Sequence, residues 1–235
     1  LDWMAQGTRV TRNLLHDNGR DLFVEVNHGP FLVDNNLMLS GHGVLVNSQG
    51  GAYVHNLIAG SIPVAHNEGR LTPYHKAHST EVVGLHPNPS GDDRYYNNIF
   101  VNGGLTAYDE AKLPVFMAGN VFLNGALPSK HERDPIVQPE VDPGLDRIEK
   151  ADGIYLQITL DKAWTQRRRQ LVTSDLLGRT DAAGLPYEQA DGSGYRINTD
   201  YFGRARDSAN PFPGPIELLE GGKRMLKVWP VVTLR

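Results

Sequence analysis

Short apolar runs of two to five residues alternate with turn-forming residues along the first half of this chain. Leu22-Phe23-Val24-Glu25-Val26, Phe31-Leu32-Val33, Val44-Leu45-Val46 and Ala52-Tyr53-Val54 are of the length and pattern of partly buried strands. Asp17-Asn18-Gly19, Asn27-His28-Gly29-Pro30 and Ser48-Gln49-Gly50-Gly51 mark turns between them. Superimposed on this pattern is a recurring pair, an asparagine followed by an apolar residue: Asn13-Leu14, Asn36-Leu37, Asn56-Leu57, Asn98-Ile99 and Asn120-Val121. Successive copies lie 23, 20, 42 and 22 residues apart. A period of roughly 20–25 residues made of short strands and turns predicts units that bury their faces against one another. The separation of 42 fits one unit with a long insertion, or two units of ordinary size.

The pattern predicts an all-β chain, a right-handed parallel β-helix with a C-terminal β-rich extension. Residues 1–140 would form the coils, interrupted by a long loop at 60–94, and 141–235 the closing coil and the extension. Stacked coils give the recurring asparagine a task, since each side-chain amide can donate to the carbonyl of the next and satisfy buried turn groups. The loop is rich in proline and histidine (Pro63, His66, Pro73, His75, His78, His86, Pro87, Pro89) and lacks apolar periodicity. Further on, Gly153–Leu160 alternates as a strand, Thr199–Gly203 and Pro211–Pro215 read as a closing segment, and the residues from Ile216 onward alternate enough for one or two strands.

Composition narrows the function. Net charge is −4, and the basic triplet Arg167-Arg168-Arg169 is isolated, so a nucleic-acid partner is not expected. No apolar run approaches the ~18 residues of a spanning helix, so no membrane partner is expected either. Cysteine is absent, which excludes disulfides and thiolate metal sites. With 25 glycines and 15 prolines the chain is turn-rich. His75, His78 and Glu81 are spaced three and three apart, but no helix is evident there, and neither metal nor cofactor is expected. The expected location is cytoplasmic.

Asp2 and Glu25 each stand eleven residues before a repeat asparagine, Asn13 and Asn36. They therefore occupy the same place in consecutive repeats, and adjacent strands lie about 4.8 Å apart. Carboxyl groups roughly 5 Å apart suit a retaining glycosidase, whereas inverting enzymes need about 6.5–9.5 Å. Asp2 would be the nucleophile and Glu25 the acid/base. Glu25 sits in the middle of an apolar strand, and Asp2 precedes Trp3, a flat surface for a sugar ring. The residues alone leave open a plainer reading, two solvated carboxylates on a surface. Gln6 and Asn27 are polar groups near the pair. His28 could hold a sugar hydroxyl, tune Glu25, or simply occupy a turn. His75 is a candidate substrate contact from the loop, and Arg94 either contacts substrate or pairs internally with Asp92 and Asp93.

The stretches Leu1-Asp2-Trp3-Met4-Ala5-Gln6-Gly7-Thr8-Arg9 and Asp21-Leu22-Phe23-Val24-Glu25-Val26-Asn27-His28-Gly29-Pro30 resemble the β-xylosidases of glycoside hydrolase family 120. The likeness extends through Thr72-Pro73-Tyr74-His75, Gly91–Asn98 and Asp200–Gly203. It implies a retaining, exo-acting β-xylosidase that releases xylose from xylobiose and short xylo-oligosaccharides, with Asp2 as nucleophile and Glu25 as acid/base. Such enzymes carry a long portion ahead of the nucleophile. The chain is thus expected to be the C-terminal portion of a larger enzyme, with the N-terminal portion as its partner and a homo-oligomer as a further option. Two other functions remain open on the residues: a polysaccharide lyase and a non-catalytic carbohydrate-binding solenoid.

Overall fold

The computed structural model describes residues 1–217 and 220–231. Two parallel sheets of six strands dominate it. The first runs Thr8–Thr11, Phe31–Asp34, Gly51–Val54, Arg94–Tyr96, Phe116–Ala118, Glu132–Arg133. The second runs Leu14–Leu15, Leu37–Met38, Leu57–Ile58, Ile99–Val101, Val121–Leu123, Ile136–Gln138. Leu22–Glu25 and Val44–Asn47 form a separate two-stranded parallel ribbon, flanked by single parallel bridges at Asp2–Glu25, His42–Ser61, Val46–Val64 and Gln49–Gly91.

This arrangement corrects the expected right-handed parallel β-helix. The described strands make two six-stranded parallel sheets, a two-stranded ribbon and two antiparallel sheets, and no closed solenoid is found among them. A third side as deep as the other two would need residues 60–94 to continue the ribbon's ladder. After single bridges at Ser61 and Val64 that stretch leaves the ladder and pairs with itself, as an antiparallel hairpin of Leu71–His75 and Val82–Pro87. Its prolines have no N–H to give a ladder. Further along, the equivalent stretch holds a short 3-10 turn, Thr106–Glu110, rather than a strand. In the C-terminal part, Asp146–Lys150, Gly153–Leu160 and Gly222–Trp229 form a three-stranded antiparallel sheet. The strand pattern expected from Ile216 onward falls partly on 218–219 and 232–235, which lie outside the described residues.

Both large sheets are covered on both faces, the usual condition of parallel sheets. Between them lie Val33, Met38, Val46, Tyr53, Ile58, Tyr95, Phe100 and Phe122. Leu37, Leu57, Ile99 and Val121 meet Leu156, Ile158 and Leu160 from the antiparallel sheet. On the remaining face Leu32, Ala52 and Val54 meet Val172, Leu177, Tyr187 and Ile197.

The asparagine row forms as expected. Asn13, Asn36, Asn56 and Asn98 each give both their backbone N–H and their Nδ2 to the Oδ1 of the next asparagine, at 2.8–3.0 Å. Asn120 ends the row on a carboxylate, giving its N–H and Nδ2 to Glu132 at 3.3 and 2.8 Å. The pairing of Leu57 with Ile99 settles the separation of 42 residues as one repeat with a long insertion.

Asp93 lies fully buried at the end of that insertion, accepting from Gly51 N–H at 2.9 Å and from the Tyr108 hydroxyl at 2.8 Å. Burial pushes its carboxyl up to about 8. A carboxyl that holds its proton more tightly when folded stabilises the fold below its unfolded value. That contribution is lost as pH rises from about 4 to about 8. Replacing Asp93→Asn should therefore stabilise the protein relative to wild type increasingly across that window, by up to about 1.4 kcal/mol per pH unit. Denaturant unfolding at pH 5 and pH 8 reads this, and a constant difference would refute it. Asn56→Ala removes the acceptor for two donors of Asn36 and leaves the Val33 carbonyl without its partner. It should cost about 3 kcal/mol or more. Asn13→Ala, at the half-buried end of the row, should cost clearly less in the same unfolding assay.

Candidate functional site

Asp2 and Glu25 are direct neighbours across a parallel bridge. Glu25 N–H donates to the Leu1 carbonyl at 2.8 Å, and Trp3 N–H donates to the Glu25 carbonyl at 3.2 Å. Val24 and Val26 on either side of Glu25 are buried, so alternation turns the Glu25 side chain outward. Glu25 remains about one quarter exposed, whereas Asp2 is on the surface.

The segment bearing Asp2 is shaped by backbone that bulky residues seldom adopt. Trp3 and Met4 both have left-handed φ values, 32° and 52°. Such conformations cost of order 1–3 kcal/mol each and persist only where the surroundings enforce them. Asn27 is part of that enforcement. Wholly buried, it accepts from Ala5 N–H at 2.6 Å and donates from Nδ2 to the Leu1 carbonyl at 3.1 Å, bracketing residues 2–4. Trp3, next in sequence to Asp2, is left about half exposed.

The hairpin of the insertion lies across the neighbouring turn. His28 is buried, its ring held by Gln49 Nε2 at 3.0 Å and by the Thr72 hydroxyl at 2.8 Å. Burial lowers its pKa, which keeps the imidazole neutral. Gln6 donates from Nε2 to the His75 carbonyl at 3.1 Å, and His75 N–H donates back to Gln6 Oε1. Gln6 and His75 line a cleft of about 200 Å³ with Lys76, His78, Pro186 and Glu188. A larger hollow, about 280 Å³, lies at Tyr96, Phe116 and Arg168. Neither is lined by Asp2 or Glu25.

The structure thus brings together Asp2, Trp3 and Glu25, with Asn27 beneath them. Gln6, His28 and the backbone of His75 lie nearby as anchors of the hairpin, the side chains of Gln6 and His28 engaged by protein and the Nδ1 of the His75 ring buried without a hydrogen-bond partner. Arg94 is elsewhere. Its guanidinium is buried, paired with Asp92 at 2.5 Å and donating to the carbonyls of Leu177 and Arg179 at 3.0 and 2.6 Å, between the Phe116 and Tyr187 rings. His78 pairs with Glu188 at 3.1 Å and Glu81 with Lys76 at 3.4 Å. No cluster of three or more metal-ligating side chains occurs among the described residues. No helix among them is long and apolar enough to cross a membrane.

Sequence reasoning missed Arg70 and Glu68. Arg70 Nη2 lies 2.6 Å from Glu25 Oε1 and 2.7 Å from Glu68 Oε2. The available signal was weak, an adjacent-but-one Glu and Arg inside a loop already expected to contact the site.

An all-β scaffold that pairs Asp2 with Glu25 and leaves the Trp3 next to Asp2 in sequence half exposed is suited to carbohydrate chemistry. The chain is similar to XylC in its solved complex with xylose, with a TM-score of 0.91 and 37% identity. The match covers 97% of this chain and 40% of XylC, so the chain spans about two fifths of that protein's length. No protein-family model matches the chain, and no curated protein matches it.

Arg94→Met should loosen the segment around 177–187, seen as faster limited proteolysis there, while leaving KM for any sugar substrate within about twofold. A large rise in KM with unchanged proteolysis would place Arg94 at the substrate.

Proposed function

We propose that this chain carries the catalytic pair of a retaining, exo-acting β-xylosidase of the glycoside hydrolase family 120 type, releasing xylose from xylobiose and short xylo-oligosaccharides. The observation that carries the reading is the in-register bridge between Asp2 and Glu25. Neighbouring strands about 4.8 Å apart suit carboxyl groups that act by double displacement, without room for a water between them. The likeness to XylC, solved with xylose, supports the sugar. The walls of the pocket not formed here are assigned to polypeptide outside this chain, in keeping with its coverage of 40% of XylC.

In the first step a carboxylate oxygen of Asp2 forms a bond to the anomeric carbon as the glycosidic C–O bond breaks. Glu25 gives its proton to the departing oxygen. In the second, Glu25 takes a proton from water, whose oxygen adds to the anomeric carbon and displaces Asp2. Xylose leaves with its original anomeric configuration, and Glu25 is again protonated. Trp3 offers a flat face for the ring, and Asn27 keeps Asp2 and Trp3 in place.

The full-length protein should hydrolyse 4-nitrophenyl β-xyloside. Asp2→Ala should abolish turnover, and added azide should restore it with formation of the α-xylosyl azide. Glu25→Ala should lower kcat/KM on xylobiose by roughly 10²–10⁴ and far less on an activated aryl xyloside. Normal turnover by Asp2→Ala would remove the nucleophile assignment, and sugar binding without hydrolysis by wild type would favour a non-catalytic carbohydrate-binding protein.

A further inference from the structure

Arg70 reaches Glu25 from the insertion, and a second carboxylate holds Arg70. Glu68 Oε1 accepts from Arg70 Nε and from the Arg70 backbone N–H, both at 2.9 Å, and Oε2 accepts from Nη2 at 2.7 Å. Asn47, the register partner of Glu25 in the next strand, donates from Nδ2 to Glu68 Oε2 at 2.9 Å. Glu68 therefore receives four donors, whereas Glu25 receives one, the shared Nη2. Among the described residues, the charged groups facing Glu25 are Asp2 from the preceding segment and Arg70 with Glu68 from the insertion. Asn47 below is neutral, and Leu22, Phe23 and Val24 on its own strand carry no charge.

A guanidinium hydrogen-bonded to a carboxyl stabilises its ionised form. A general acid must instead keep its proton until the leaving oxygen takes it. The second carboxylate resolves the conflict. Hydrogen bonds from Arg70, and then from Asn47, hold Glu68 down to about 2, so it is ionised across the working range. Its negative charge sits on the same guanidinium and offsets the field at Glu25 while leaving a directional N–H. Ion pairs as exposed as these contribute little to folding stability. Their consequence lies in the proton of Glu25.

We propose that Arg70 and Glu68 are a positioning pair for Glu25, in which Arg70 aims the carboxyl and Glu68 offsets Arg70's charge so that Glu25 serves as an acid near neutral pH. This rests on the glycosidase reading above. In the full-length protein, the alkaline limb of kcat/KM against pH on xylobiose, whose leaving group needs the acid, should move in opposite directions in two variants. Glu68→Gln exposes Glu25 to the bare guanidinium and should lower the limb by about one pH unit, and Arg70→Met should raise it by about one. With Glu25→Ala and an activated aryl xyloside, neither substitution should alter the rate appreciably. The Glu25 carboxyl titration, followed by carbon-13 NMR in wild type and both variants, reads the same shifts without turnover. Limbs or titrations that stay in place, or move the same way in both variants, would overturn the pair. A wild type that cleaves no xyloside yet shows the opposed titration shifts would overturn the enzyme reading and leave the pair standing.

Discussion

The buried row of asparagine amides from Asn13 to Asn120 is the constraint on which the other positions depend. Each amide has one partner it can reach without orphaning a buried donor, the asparagine one repeat on. A slip of a single residue would break every rung and turn the apolar faces of both six-stranded sheets the wrong way. Register across the sheets is therefore set from inside. Asp2 and Glu25, each eleven residues ahead of a rung, inherit their adjacency from it.

From that adjacency the surface chemistry is built with few parts. Asn27 ties down a strained segment so that an acid and an indole project together, and a hairpin anchored through Gln6, His28 and Thr72 brings a cation to the second acid. The polar groups of the anchors are spent within the protein. Donors for sugar hydroxyls must therefore come largely from elsewhere around the pair.

Much of this could be read from the residues, and the limits are instructive. The repeated Asn-apolar pairs gave the parallel stacking and the placing of the two carboxylates, because both depend only on spacing. The closed right-handed parallel β-helix did not follow, since spacing reports pairing between repeats but not how many sides each repeat has. The hairpin of Leu71–His75 and Val82–Pro87 decided that by pairing with itself. Glu132 escaped notice as the end of the row because it is not an asparagine and comes twelve residues after Asn120 rather than about twenty-two. Arg70 sits in a stretch with no period at all, so only the folded chain reveals its reach. The residues left Arg94 open between a substrate contact and an internal pair with Asp92 and Asp93, and it pairs with Asp92. Its burial between Phe116 and Tyr187 gives it a role in holding the segment that follows.

The strand Leu57–Ile58 pairs with Ile99–Val101 as though the forty residues between them were not there. The pairing of the repeats is thereby independent of the arm's length. Doubling the length of a flexible excursion costs only about 0.6 kcal/mol in closure entropy, so the arm is free to grow, shrink or be exchanged while the frame holding the acids stays unaltered. Divergence among proteins of this build should accumulate there, and an engineer seeking a new preference would graft that arm and leave the rest of the molecule alone.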